Sequence, residues 1–511
     1  MRRPSMRGAV APVPSPMINL PAQLRHWSAA TPDRVALSCA GIDITCGELW
    51  RRIEAATAHL AGACGVAPGD RVGYLGFNGP DQIVLLAALM RLGAVLVPLN
   101  FRLAVPELRT VAAHAGLTLL FTDAAHATVA AGLGVAVHDR ETLAQLPPSV
   151  VSSGDADEHD PDTPALLVYT SGTTGRPKGA LHTQAGLYWN AQASIAMHDF
   201  TGADTVLSVL PLFHVGGLCI QTLPALYAGA RVILHPRFDP GQWLAAVAGQ
   251  RPTVSLMVPA TMRAVVEHPD WAATDLSSLR MLGAGSSTIP DSLIAAFHAR
   301  GVPVCQIYGA TETGPVSIVL RAEEAYAHAG AAGRPALGCA IRLVDADGGT
   351  DIEGPGRVGE VWVRGPNVMR GYWRDPENPA FIDGWFRTGD LARRDAEGYY
   401  TIVGRSKDMI ISGGENIYPA EIENVLAGIP DIVEAAVIGV PDPRWGEVPV
   451  AVVVLRQGST LTEAGIRAHF DGALARFKHP RRMVFRATLP KSALGKVQKP
   501  ALIEDLQAGV A

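Results

Sequence analysis

A chain of 511 residues with 48% hydrophobic and 18% charged residues and a mean hydropathy of +0.17 can bury a large core over several domains, which excludes a single small module and extensive disorder. The net charge of −5 and pI of about 6.3 lack the basic balance of a nucleic-acid binder, so any polyanion must be met by a local patch. Six scattered cysteines with no CxxC pair indicate neither a structural zinc site nor a disulfide framework, and a reducing, cytoplasmic setting is expected.

Residues 1–16 carry Arg2, Arg3 and Arg7 with four prolines and no continuous apolar run. This is a poor signal peptide, and a disordered tail is expected there, with Met17 as an alternative start. Thr45 and Glu48 read as a capping box opening a helix whose apolar face is Leu49, Ile53, Ala56 and Leu60. Apolar runs at 71–75, 94–99, 117–122, 165–170, 205–210, 231–234, 253–258, 279–282 and 302–308 alternate with helix-period segments, the pattern of parallel strands joined by crossover helices. Between them, 152–162 reads as a polar linker. The stretch 205–230 has no Asp, Glu, Lys or Arg, yet Pro211, His214, Pro224 and paired glycines interrupt it. Buried strands and a turn are expected there rather than a membrane span.

Over 338–404 the pattern changes to short alternating strands with glycine turns (340–344, 359–364, 399–403), which suggests a small β subdomain. After Gly404 a helix near 421–426, strands at 434–440 and 448–455, a helix over 461–474 and a strand at 483–486 form a compact α+β unit of about a hundred residues. The expected fold is therefore α/β, with a large N-terminal domain over 17–404 that includes the β subdomain, and a small domain over 405–511.

Residues 169–179 read YTSGTTGRPKG directly after an apolar strand. Glycines let backbone approach a polyphosphate, Ser171, Thr173 and Thr174 offer hydroxyls, and Lys178 supplies a cation. No Gly-Lys-Ser/Thr triplet opens a helix, so this is not a Walker loop. YTSGTTGRPKG resembles the signature loop of the adenylate-forming superfamily, which includes acyl-CoA synthetases, luciferases and peptide-synthetase adenylation domains. PLFHVGG (211–217), YGATETG (308–314), GWFRTGD (384–390), GRSKDMIISGGENIYPAEIE (404–423) and PKSALGK (490–496) follow in the family's order.

The resemblance implies a mobile C-terminal domain and ATP-dependent activation of a carboxylate, with Mg2+ and coenzyme A as the other small molecules. It assigns Thr170, Ser171, Gly172, Thr173, Thr174, Lys178 and Tyr308 to ATP or AMP binding. Thr311 reaches the α-phosphate, and Glu312 is the Mg2+ ligand through a hard carboxylate oxygen. Asp390 accepts the ribose hydroxyls, and Arg405 adds a ribose or phosphate contact. Lys496 is the lysine that contacts carboxylate and α-phosphate in the first transition state. His214, Val215, Val258, Gly283, Gly285, Gly309, Pro315 and Val316 line the acyl pocket, with His214 positioning rather than transferring a proton. Lys407 matches the hinge, and Gly413 with Gly414 would let the pantetheine arm pass.

No Asp stands in PLFHVGGL to bind a substrate ammonium, which counts against an amino acid. The mostly small or apolar lining fits a medium- or long-chain fatty acid, with an aromatic acid of the benzoate or cinnamate type as the alternative. The sequence ends shortly after Lys496, so no carrier domain is expected in cis; loading of a separate carrier protein, an ATP- or acyl-binding protein without catalysis, and a luciferase-like oxygenase are the other readings. Eight basic residues and no acidic one over 476–499, with few aromatics, read as a solvated face rather than a nucleic-acid patch. A homodimer is compatible with the sequence.

Overall fold

The computed structural model describes residues 19–147, 160–170, 177–345, 349–413, 415–491 and 496–507. The expected N-terminal tail, most of the polar linker, Ser171, Gly172, Thr173, Thr174 and Gly414 lie outside the described residues.

Two large sheets dominate the first three hundred residues. In one, parallel neighbours run Val304–Tyr308, Met281–Gly285, Val254–Met257, Thr205–Ser208, Arg231–Leu234 and Val35–Cys39, with antiparallel strands at both edges. The other places Lys178–Thr183, Pro164–Thr170, Val95–Pro98, Arg71–Leu75, Leu119–Thr122 and Val137–Asp139 side by side. One continuous core joins the two sheets through helices packed between them.

The helix Pro80–Arg91 shows why. From Gln82 to Arg91 every residue is buried, as expected of a helix apolar on all sides. Each of Ile83, Val84, Leu85, Leu86, Leu89 and Met90 contributes about 2 kcal/mol of transfer free energy. Arg91 lies over the Trp50 ring. The helix Cys46–Gly62 buries Leu49, Ile53, Ala56 and Leu60 as expected. Its cap is only half a box: Thr45 Oγ1 accepts from the Glu48 N–H, while the Glu48 carboxylate pairs with Arg51 and Arg52.

Three expected elements are corrected. Beyond Thr205–Ser208 the uncharged stretch is helical over 215–228, with one π turn at Leu218–Thr222. Burial on all sides erased the period, and the breakers are accommodated: a Cβ at Gly217 would meet Pro211 O at 2.3 Å, and Pro224 sits in the first turn after the π turn. The strand expected at 279–282 lies at Met281–Gly285, displaced onto Gly283 and Gly285, which carry little strand signal. The helix expected over 461–474 covers only Glu463–Ala468.

The β subdomain is a five-stranded sheet around Trp385–Arg394, which pairs with Val358–Arg364, Phe381–Ile382 and Tyr400–Arg405. The C-terminal unit is built on the antiparallel pair Ile432–Asp442 and Gly446–Leu455, with Arg482–Phe485 added in parallel. Helices Pro419–Ala427 and Glu463–Ala468 cover one face and the C-terminal helix the other. It touches the large domain through exposed polar contacts: Arg456 to Glu267 at 3.1 Å, Asn424 Nδ2 to Asp291 at 2.8 Å and Ser292 Oγ to Ala427 O at 3.5 Å. The basic 476–499 segment is largely engaged within its own domain, where Lys478, Arg486, Lys491 and Lys499 pair with Glu421, Asp505, Glu434 and Glu423. No helix among the described residues is long and apolar enough to cross a membrane.

Asn78 pins the two large sheets together. It follows Arg71–Leu75 in one sheet, and its Nδ2 donates to Leu210 O and His235 O, which follow strands of the other, at 3.0 Å each. Its Oδ1 accepts from Leu212 N at 2.8 Å. Asn78→Leu keeps a branched side chain of four heavy atoms but leaves three backbone groups, two of them buried, unpaired. At 1–3 kcal/mol per orphaned group, thermal or urea denaturation should show a loss of about 3 kcal/mol or more; a loss below about 1 kcal/mol would assign the inter-sheet join elsewhere.

Candidate active site

Tyr308 ends the strand Val304–Tyr308 and Asp390 lies in Trp385–Arg394, so two sheets deliver the first contact of the site. The Tyr308 hydroxyl donates to Asp390 Oδ2 at 2.9 Å. Arg405 is the antiparallel register partner of Asp390, and its Nε reaches the other oxygen, Oδ1, at 2.8 Å. Both oxygens of a buried carboxylate are thus used. Burial and then the Asp390 charge push the Tyr308 phenol well above its ordinary range, so it is a fixed donor. The neighbouring Asp390 holds Arg405 more firmly protonated.

The turn before Asp390 rests on Glu360, which the sequence reading missed. Its buried carboxylate accepts from Gly389 N at 3.2 Å, Trp362 Nε1 at 3.1 Å and Arg387 at 3.1 Å. Thr388 Oγ1 donates to Val361 O and accepts from Asp390 N.

Glu312 stands in the single 3₁₀ turn Thr311–Thr313 directly after the Tyr308 strand. Tyr372, also missed, donates to Glu312 Oε1 at 2.8 Å, and Lys178 Nζ lies 5.0 Å from the centre of the Tyr372 ring. Tyr372 pairs in register with Ala180, two residues beyond Lys178, which brings the three groups into one corner. The half-buried Glu312 carboxylate offers hard oxygen, the donor that Mg2+ takes. His182 is fully buried on the same strand as Lys178 and bonds the Thr311 backbone, and burial lowers its pKa to about 4.

Lys496 arrives from the C-terminal domain. Its pKa is lowered by burial first and by Arg405 second, with Asp390 and Glu312 opposing both. His214 is neutral: burial, then Lys496, lowers it to about 4. Its Nδ1 accepts from Gly216 N at 3.0 Å, which leaves the proton on Nε2.

The wall of the expected acyl pocket depends on missing side chains. A Cβ at Gly309 would meet Pro315 O at 2.0 Å, and one at Gly285 would meet Ile307 O at 2.5 Å. One at Gly283 would meet Gln221 Nε2 at 2.9 Å, Leu256 at 3.0 Å and Ile307 at 3.4 Å. Val316 and Val215 are buried. Asn190 joins the wall's two halves, accepting from Val316 N and donating to Cys219 O. Asn367 Nδ2 closes the 313–316 turn through Thr313 O and Val316 O. Val258 caps the helix Pro259–Val266 and packs on the main core.

Gln221, on the π turn, is a further residue that the sequence reading did not single out. Its Nε2 contacts His198 Nε2 at 3.0 Å and Ser255 O at 3.2 Å. His198 Nδ1 faces Ser194 O at 2.8 Å, so Nδ1 carries the proton and Nε2 accepts. Burial lowers the His198 pKa to about 4, which keeps the ring neutral. These contacts fix the amide orientation, and the buried Gln221 Oε1 has no partner among the described residues.

Other expected residues are not brought into this cluster. Thr170 Oγ1 reaches Lys178 O only at 3.5 Å. Lys407 is exposed in the turn Ser406–Asp408. Gly413, at φ +61°, lies against Trp445, where a Cβ would come within 2.7 Å of the indole, and its N–H donates to Trp445 O.

The chain matches the family model of the AMP-binding enzyme over residues 24–373 and that of the AMP-binding enzyme C-terminal domain over 421–496. It is 46% identical to an indoleacetate–CoA ligase of Aromatoleum aromaticum over 93% of this chain and 97% of that protein. It is 43% identical to a feruloyl-CoA synthase of an Amycolatopsis species over 92% and 95%. Among solved structures, ATP-bound MatB from Rhodopseudomonas palustris superposes with a TM-score of 0.86 at 32% identity, covering 96% of this chain and 99% of that one. Together with two sheets that converge on Asp390 and a lysine delivered from a separate small domain, these matches show that the chain belongs to the AMP-binding enzymes, in the adenylate-forming acyl-CoA synthetase group.

Proposed function

We propose that the chain activates an aryl-bearing carboxylic acid, one with an N–H or O–H donor on its ring system, and passes the acyl group to coenzyme A. The observation that carries the substrate class is the buried, unpartnered Oε1 of Gln221, whose amide nitrogen lies beside Gly283. This acceptor is already out of water, so a fatty tail leaves it unpaired, whereas a ring donor that reaches it gains about 1–3 kcal/mol by pairing it. The similarity to ligases named for indoleacetate and ferulate supports the aromatic alternative over the fatty-acid expectation, and their names as CoA ligases support coenzyme A over a carrier protein.

In the first half-reaction a carboxylate oxygen forms a bond to the α-phosphorus of ATP as the bond to the bridging oxygen breaks and pyrophosphate leaves. Asp390 receives the ribose hydroxyls, with Tyr308 and Arg405 fixing its two oxygens. Lys178 lies on the phosphate side, and Glu312 would hold Mg2+, which when bound supplies charge neutralisation on the departing phosphates. Lys496 meets the charge that grows on the α-phosphate while orienting the attacking carboxylate. The coenzyme A sulfur then bonds to the acyl carbon, the carbon–oxygen bond to AMP breaks, and the thiol proton passes to solvent. These steps need different groups at one place, so Lys496 withdraws by rotation about Lys407.

Lys496→Ala should slow adenylation about 10²- to 10³-fold and spare thioester formation from supplied acyl-AMP; equal losses in both would remove the assigned role. The lysine acts as an ammonium, and its pKa is lowered in the free enzyme. The rate constant kcat/KM for ATP should therefore fall with rising pH earlier than a free lysine titrates, whereas the limb in kcat moves upward because bound phosphates restore a counter-charge.

Lys407→Pro is compatible with the 3₁₀ turn seen here, since proline fixes φ near −65°, but it blocks backbone rotation. Single-turnover pyrophosphate release should persist while thioester formation from preformed adenylate falls by orders of magnitude. Wild-type values for both would place the hinge elsewhere.

A pyrophosphate-release panel tests the substrate class. Indole-3-acetate or ferulate should exceed hexanoate and dodecanoate in kcat/KM. Gln221→Leu should cost the donor-bearing acids about 10- to 100-fold and leave benzothiophene-3-acetate, which has no ring donor, nearly unchanged. Preference for dodecanoate would sink the aryl reading, and equal losses for both ring acids would sink the role of Gln221.

A further inference from the structure

Away from the nucleotide and acyl groups, the end of the helix Cys46–Gly62 meets the edge strand Val137–Asp139 of one large sheet. The carbonyl of His59, in the last turn, accepts the N–H groups of Ala63 and Cys64 at 2.8 and 3.1 Å, which folds Cys64 back under the helix end. Gly65 then turns the chain at φ +64°. His138 stands at the middle of the facing edge strand. One ligand atom each from His59, Cys64 and His138 lies within 4.8 Å of the other two. His59 Nε2 is shut off from solvent and has no hydrogen-bond partner among the described residues. The Cys64 thiol is free.

We infer that His59, Cys64 and His138 form a binding site for a borderline-soft divalent cation, Zn2+ in the first instance, with the fourth position left to water. Two imidazole nitrogens and one thiolate suit Zn2+, while Mg2+ and Ca2+ require oxygen ligands. Bond lengths of about 2.0–2.1 Å to nitrogen and 2.3 Å to sulfur require the three groups to draw closer by about 1 Å. An edge strand and a glycine-bounded turn permit this shift. Binding forms two Zn–N bonds and one Zn–S bond, and the thiol proton is released to solvent, so affinity rises with pH. The metal would clip the helix end to the sheet edge, a link between segments about eighty residues apart. None of the three residues belongs to the catalytic machinery, so the metal would act on stability and not on adenylation.

The test uses the full-length chain, stripped with a chelator, desalted and held in excess Mg2+. Titration with Co2+ should saturate at one equivalent and develop a thiolate-to-cobalt charge-transfer band that Zn2+ abolishes. Cys64→Ser should remove the band, and His138→Gln should weaken binding at least 10-fold. Zn2+ should raise the melting temperature of the wild type and of neither variant, with adenylation rates of the metal-free proteins unchanged. Absence of the band in folded wild-type protein would overturn the inference, as would equal Co2+ affinity in the wild type and both variants.

Discussion

The carboxylate of Asp390 is the interaction on which the site depends. Its two oxygens are held by Tyr308 from the nine-stranded sheet and by Arg405 from the last strand of the β subdomain. A carboxylate buried with one partner would pay desolvation without full compensation, and one with two charge-assisted or fixed donors does not. Those bonds also set distances beyond themselves. Glu312 is four residues past Tyr308, and Lys407 is two residues past Arg405, so the phosphate corner and the exit to the small domain are both referenced to one side chain.

Around that anchor the protein substitutes close backbone approach for side-chain bulk. Gly309 against Pro315, Gly285 against Ile307 and Gly217 against Pro211 each leave no room for a Cβ. Strand and loop carbonyls therefore pack at distances that only glycine permits, and the wall of the expected acyl pocket is defined by backbone, which cannot change rotamer. The polar chain Ser194–His198–Gln221–Ser255 is the exception within this wall. Its donors are committed in one direction, so its final acceptor has a fixed polarity rather than an adjustable one.

Much of this was legible in the sequence because the chemistry sits in contiguous motifs. Tyr308, Thr311 and Glu312 fall within one seven-residue motif, and the strand that Tyr308 ends is apolar but for Gln306. Asp390 and Arg405 are fifteen residues apart in sequence but direct register partners, and only their separate motifs, not their pairing, could be read. Tyr372, His182 and Glu360 were not found, because their roles come from cross-strand neighbours and not from local spacing. Tyr372 meets Glu312 through a two-residue strand that no periodicity announces. Gln221 was hidden for a further reason: in a helix buried on all sides, a π turn shifts the face by one residue, and amphipathic counting has nothing to count.

The contact between the two domains has a consequence of its own. Arg456–Glu267, Asn424–Asp291 and Ser292–Ala427 are exposed polar contacts, and such contacts contribute only about 0–1 kcal/mol each, less as salt is added. Contacts of that kind hold a hundred-residue body only weakly against alternative orientations. The charges gathered around Lys496 add to this hold, and on the proposed mechanism bound ATP would complete them. On the proposed mechanism the small domain would act as a loosely latched reader of its cargo: an anionic triphosphate would draw the ammonium in, and the departure of pyrophosphate would remove much of the charge that kept it there. Timing between the two half-reactions would then be set by the changing charge of the ligand rather than by a spring within the protein.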